Sequence, residues 1–139
     1  MIHLLIASTI ACHSLNGLPD PKCTPGKVLT KDITKICKSG YTKTIRPPVS
    51  YTNRLKLKLM KLYGLSGTSK DYVVDHLISL ELGGDPKDIT NLWPENSTGM
   101  NNSHDKDKVE NYLHKQVCTG KMKIEDAQKL ISTQWTTTK

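Results

Sequence analysis

The chain contains no phenylalanine, and aromatic residues make up only 5% of its 139 residues. A core without Phe must be built from Leu, Ile and Val, and at this length it serves one modest domain. No apolar run reaches the roughly 18–20 residues of a membrane-spanning helix, so no span is expected. The four cysteines include no CxxC pair, which argues against a zinc ribbon or a dithiol redox motif. No Gly-x-Ser-x-Gly turn is present, so Ser79 or Ser103 beside His76 and Asp75 does not read as a serine hydrolase. Internal repeats and low-complexity tracts are also missing.

Negative charge is the scarcer sign. Lys and Arg number 20 against 13 Asp and Glu, a formal net charge of +7. That excess suits a polyanionic partner, nucleic acid or an anionic membrane face, although a soluble basic surface alone would look the same.

Residues 2–11, IHLLIASTIA, followed by Cys12, read as the apolar part of an export signal spanning 1–12. The stretch before Cys12 also has some likeness to a lipoprotein cleavage box. The expected location is therefore exported (periplasmic, secreted or lipid-anchored), with a cytoplasmic protein as the alternative. In an oxidising compartment the cysteines would form disulfides. Sequence alone leaves the pairing open. A Cys37–Cys118 bridge is the preferred reading, with Cys23 free or joined to Cys12, and four reduced thiols are the alternative.

Residues 13–52, rich in Pro and Gly, read as an irregular lead-in to a domain over 53–139. Leu55, Leu59 and Leu62 recur at helical spacing over Asn53–Tyr63, with Arg54, Lys56, Lys58 and Lys61 on the remaining surface. Asp71–His76 reads as a strand and Ile89–Trp93 as a second, ended by Pro94, with Gly83-Gly84 turning between them. A helix follows from a cap at Asn102 or Ser103 to about Val117, and a last helix covers 124–135. The expected fold class is α+β, a hairpin-plus-helix core over about 71–118 with flanking helices.

Within that core, chemistry-bearing residues recur at short intervals. Asp75 offers an oxygen ligand to a hard divalent cation. The adjacent His76 can deprotonate water near neutral pH. The Asn91 amide can bond across the hairpin and hold the imidazole. Asn102, at the helix start, can complete a metal site, with His104 and Asn101 as alternatives. Lys106 and Lys108 are candidates for gripping phosphate.

Asp75-His76-Leu77-Ile78, Leu82-Gly83-Gly84, Asn91-Leu92-Trp93-Pro94-Glu95, Asn102 and the Lys106–His114 helix together resemble the HNH endonucleases. These are the ββα-metal, or His-Me finger, nucleases, and the likeness is to a small bacterial and phage subgroup. Many members place His at the helix metal position and bracket the core with CxxC zinc pairs, which this chain lacks. The resemblance implies His76 as general base, Asn91 as the residue orienting it, and Asp75 with Asn102 as metal ligands. It also implies one divalent ion, Mg2+ or Mn2+ rather than Zn2+, and a monomer that hydrolyses DNA phosphodiesters. The competing expectation is a non-catalytic basic domain, stapled by a disulfide, that binds nucleic acid or a protein.

Overall fold

Two short strands lie at the centre of the fold in the computed structural model, which describes residues 11–138. Strand β1 is Tyr72–His76 and β2 is Leu92–Asn96. They pair antiparallel, with Asp75 opposite Trp93 and His76 opposite Leu92. The sequence reading stopped the second strand at Pro94. The structure carries it to Asn96, with Pro94 opposite Val74. In a two-stranded sheet every strand has a free edge, so a residue without an N–H is tolerated there.

Among the described residues, five α-helices surround this ribbon: α1 (Ile33–Ile36), α2 (Tyr41–Ile45), α3 (Val49–Leu62), α4 (Ser103–Cys118) and α5 (Ile124–Thr133). The fold is thus α+β. The stretch 13–52 is less irregular than its Pro and Gly content suggested, because α1, α2 and the start of α3 fall inside it. Asp32 caps α1 by accepting from the Thr34 N–H, whereas α2 follows Gly40 with no side-chain cap. Asn102 caps α4, its side chain accepting from the Asp105 N–H. The last helix ends at Thr133, and Trp135–Thr137 continue as one 3-10 turn.

Two apolar clusters hold these pieces together. One joins Ile36, Ile78, Leu82, Leu113, Val117, Ala127 and Ile131, which packs α1, α4 and α5 under the loop after β1. The other joins Tyr63, Leu77 and Trp93 with Cys12 at the end of α3. Two disulfides, Cys12–Cys23 and Cys37–Cys118, tie the N-terminal part down, and no described cysteine is free. Cys37–Cys118 is the preferred pairing, Cys12–Cys23 is one of the two alternatives left open for Cys23, and both bridges suit an oxidising compartment. Most of the expected export segment lies outside the described residues. Cys12 is described, and its sulfur is bonded to Cys23, so that sulfur is not available for a lipid anchor. No helix among the described residues is long and apolar enough to cross a membrane.

Candidate active site

The loop from β1 to β2, residues 77–91, doubles back so closely that it tolerates no side chain at its turn. A Cβ on Gly84 would lie 1.7 Å from the Ile78 carbonyl oxygen, and one on Gly83 would lie 2.2 Å from the carbonyl oxygen of Thr30 in the N-terminal segment packed against the loop. The Leu82-Gly83-Gly84 signature is therefore a requirement of backbone approach. Asn91, fully buried, clamps the loop from inside. Its Oδ1 accepts from the N–H groups of Ile78 (2.9 Å) and Lys27 (3.2 Å), and its Nδ2 donates to the carbonyls of Ile78 (3.0 Å) and Asp85 (2.9 Å).

That loop presents the Pro86 carbonyl to His76. His76 Nε2 lies 2.9 Å from Pro86 O. A carbonyl only accepts, so Nε2 carries the proton and Nδ1 is left as the basic nitrogen. Burial pushes the imidazole's pKa below its ordinary value, against the opposing pull of the Pro86 carbonyl and Asp75. The ring is therefore neutral, and able to accept a proton, at neutral pH.

His76 opens onto a cavity of about 320 Å³ whose wall includes Asp75, Glu81, Asp107 and Glu110, with Arg46 facing them. Asp75 comes from the end of β1, Glu81 from the loop, Asp107 and Glu110 from α4, and Arg46 from the end of α2. Burial raises the carboxyl pKa values of Glu81 and Asp107 and takes that of Glu110 up to about 8. Burial is the main cause in each case, and the carboxylates add mutual repulsion that Lys106 and Arg46 oppose.

One cation is built in. Lys106 is fully buried beneath the cavity floor. Its Nζ donates to the His76 carbonyl (2.8 Å) and to Glu110 Oε1 (2.5 Å), and it pairs with Asp75 Oδ2 at 2.9 Å. It also lies 5.5 Å from the centre of the Trp93 ring. Burial works against its charge, yet Asp75 first and then Glu110 hold its pKa above the ordinary lysine value. Glu95 is buried beside this group with both carboxyl oxygens unpaired. Burial, reinforced by Asp75, pushes it up to about 10, so it stays protonated.

Asp75, His76 and Asn91 are thus brought to one place, His76 and Asp75 on the cavity and Asn91 behind it. Asn102 is not among the residues on the cavity wall. Its Oδ1 takes the Asp105 N–H and its Nδ2 donates to the Gly99 carbonyl, so the amide is spent on capping α4. Asn101 donates to the Asn16 carbonyl, and His104 is exposed on the first turn of α4. Lys108 is exposed, but Lys106 is sealed by its carboxylate partners and has no face for a substrate phosphate. Its buried role follows from the helix: it lies on the same stripe as Val109, Leu113 and Val117, at i+3, i+7 and i+11.

The sequence reading allowed Glu110 to reach a metal site but preferred an i,i+4 pair with Lys106, which the structure contains; Asp107 and Arg46, from the end of α2, were not assigned to the site. Glu110 stands four residues after Lys106 and three after Asp107, spacings that place it on a helix face shared with each. No local signal could have placed Arg46. The side chains of Cys37, His114 and Cys118 also cluster, their ligand-type atoms within 4.8 Å of one another. The two sulfurs are spent on each other, and His114 Nε2 lies 3.1 Å from the Ile36 carbonyl, so this group serves structure. Comparison with models of known families, with curated proteins and with solved structures finds no match.

Proposed function

We propose that this chain is a metal-dependent phosphodiesterase of the ββα-metal, HNH type, acting on nucleic acid, DNA first. The observation that carries this reading is the Pro86 carbonyl holding His76 Nε2, which leaves Nδ1 as a base on a cavity lined by carboxylates. The β1–loop–β2–α4 arrangement plays the part of the ββα element. The donor set fits a hard divalent cation. Asp75, Asp107 and Glu110 supply oxygens on one cavity and no available soft ligand accompanies them, which favours Mg2+ or Mn2+ over Zn2+. The helix carboxylates replace Asn102 in this assignment.

When bound, such an ion supplies Lewis-acid neutralisation of the phosphate and of the departing oxygen. The chain's own groups do the rest. His76 Nδ1 takes the proton of the attacking water. Arg46 faces the substrate phosphate across the cavity. Lys106 fixes the Asp75 carboxylate from below, and Asn91 keeps the loop that holds the imidazole in place. A purely binding module would have no use for a desolvated, oriented imidazole beside four carboxylates. The two disulfides support an exported enzyme working in an oxidising compartment.

Incubation with supercoiled plasmid tests the proposal. Cleavage is expected with Mg2+ or Mn2+ and none with EDTA. His76→Ala should lower the rate by about 10²–10⁴-fold, the usual contribution of a positioned base, while duplex binding persists. Unchanged cleavage by His76→Ala, or a wild-type chain that binds DNA but never cuts it, would overturn the assignment.

A further inference from the structure

The positive charge of the chain is not spread evenly. Residues 33–70 hold nine Lys or Arg and no Asp or Glu. The other residues hold 11 of the 20 cations and all 13 carboxylates, so outside this stretch the chain is slightly acidic. Much of that positive stretch is α3.

We propose that the outward face of α3 is a docking surface for the phosphate backbone of nucleic acid, a second contact that leads the polymer to the acidic cavity. This rests on the reading that nucleic acid is the substrate. Arg54, Lys58 and Lys61 are exposed and recur at i, i+4 and i+7, one helix face. Leu59 and Met60, on the far side of α3, are buried. Lys56 is turned aside to donate to the Ser69 carbonyl at 2.9 Å.

Two features separate this face from an ordinary solvated one. A solvated helix intersperses acids and bases at i+4, whereas here like charges stand four and three residues apart and repel. The ion pairs among the described residues all involve Lys106, so Arg54, Lys58 and Lys61 have no carboxylate to relieve them. A polyanion supplies that relief.

Position favours the same occupant. Helix α3 starts three residues after Arg46, which lines the cavity. Its first turn is held to the loop that positions His76: the Tyr51 hydroxyl donates to the Lys87 carbonyl at 3.3 Å, and Lys87 Nζ lies 5.6 Å from the Tyr51 ring centre. From there 14 residues of helix extend about 21 Å, the rise of roughly six base pairs. The cavity itself repels phosphate through its carboxylates, so attraction must come from flanking charge. An anionic membrane fits less well, because Val49 and Leu57 are the large apolar residues that α3 exposes, far short of an inserting face.

The test compares two charge-matched variants of the full chain, Arg54→Gln/Lys58→Gln/Lys61→Gln on α3 and Lys121→Gln/Lys123→Gln/Lys129→Gln at α5. Binding of a fluorescein-labelled DNA duplex is read against salt concentration in EDTA, so no bond is cut. If the three α3 cations meet phosphates, their loss should lower the slope of log affinity against log salt by roughly 2–3 and weaken binding, while the α5 variant stays near wild type. Equal effects of the two variants, or none from the α3 variant, would overturn the surface. So would a loss confined to vesicles containing phosphatidylglycerol. A wild-type chain that cuts plasmid while the α3 variant binds normally sinks this surface alone. A chain that cuts nothing in Mg2+ while the α3 variant loses duplex binding sinks the nuclease reading alone.

Discussion

Glu95 is a carboxyl group buried at a cost. It is wholly buried, neither carboxyl oxygen has a hydrogen-bond partner, and its pKa rises to about 10 through burial and the neighbouring Asp75. In the unfolded chain it ionises near the ordinary value of 4.5. Between those two values the folded state keeps a proton that the unfolded state has lost, so this group's contribution falls as pH rises. Glu95→Gln removes the ionisation and keeps the shape. In EDTA, urea unfolding should show the variant gaining on wild type from about pH 5 to about pH 8, at up to about 1.4 kcal/mol per pH unit. A difference that stays constant with pH would show that Glu95 is ionised in the fold. Lys106 is the complementary case. Removing it would strand the half-buried Asp75 and Glu110 without their counter-charge, whereas at the surface a lysine substitution costs little.

At the scale of elements, the loop between the strands matters most. Asn91 satisfies two N–H groups and two carbonyls at once, so Asn91→Ala leaves several buried backbone groups unpaired. Thermal or urea unfolding should show a loss on the order of 3 kcal/mol. Activity should drop further than stability accounts for, because the Pro86 carbonyl is no longer fixed against His76. Wild-type stability in Asn91→Ala would mean that the loop is held otherwise. Much of this region was legible in the sequence. The β-branched run of β1, the double glycine, the Asn102 cap and the apolar stripes of α4 and α5 are local signals, and the structure keeps them. What escaped was non-local. Pro94 reads as a strand end unless the sheet has only two strands. The five-residue α2 has no side-chain cap to announce it. Lys106 looks like any surface lysine until Asp75, 31 residues away, is placed beside it. Asn102 offered a plausible ligand oxygen, but a helix N-terminus claims such an amide first.

For the molecule as a whole, the Cys37–Cys118 bridge joins two halves of opposite character. One, through α2 and α3, brings Arg46 and the cationic face. The other, through β1, β2 and α4, brings the base and the carboxylates. The bridge spans 81 residues, and a loop of that length is worth about 4.5 kcal/mol in the chain-entropy picture, against about 3 for the 11-residue separation of Cys12 and Cys23. It also changes what a cut in the chain would mean. Residues 66–71, between α3 and β1, are exposed, as protease sites usually are. A single nick there falls between Cys37 and Cys118, so the two pieces remain one covalent molecule. Limited proteolysis should give full-length mass on a non-reducing gel and two fragments after reduction, with the nicked, unreduced form still folded. Separation without reductant would contradict the bridge. Backbone continuity at that point is then dispensable, and the protein tolerates cleavage there for as long as its surroundings keep it oxidised.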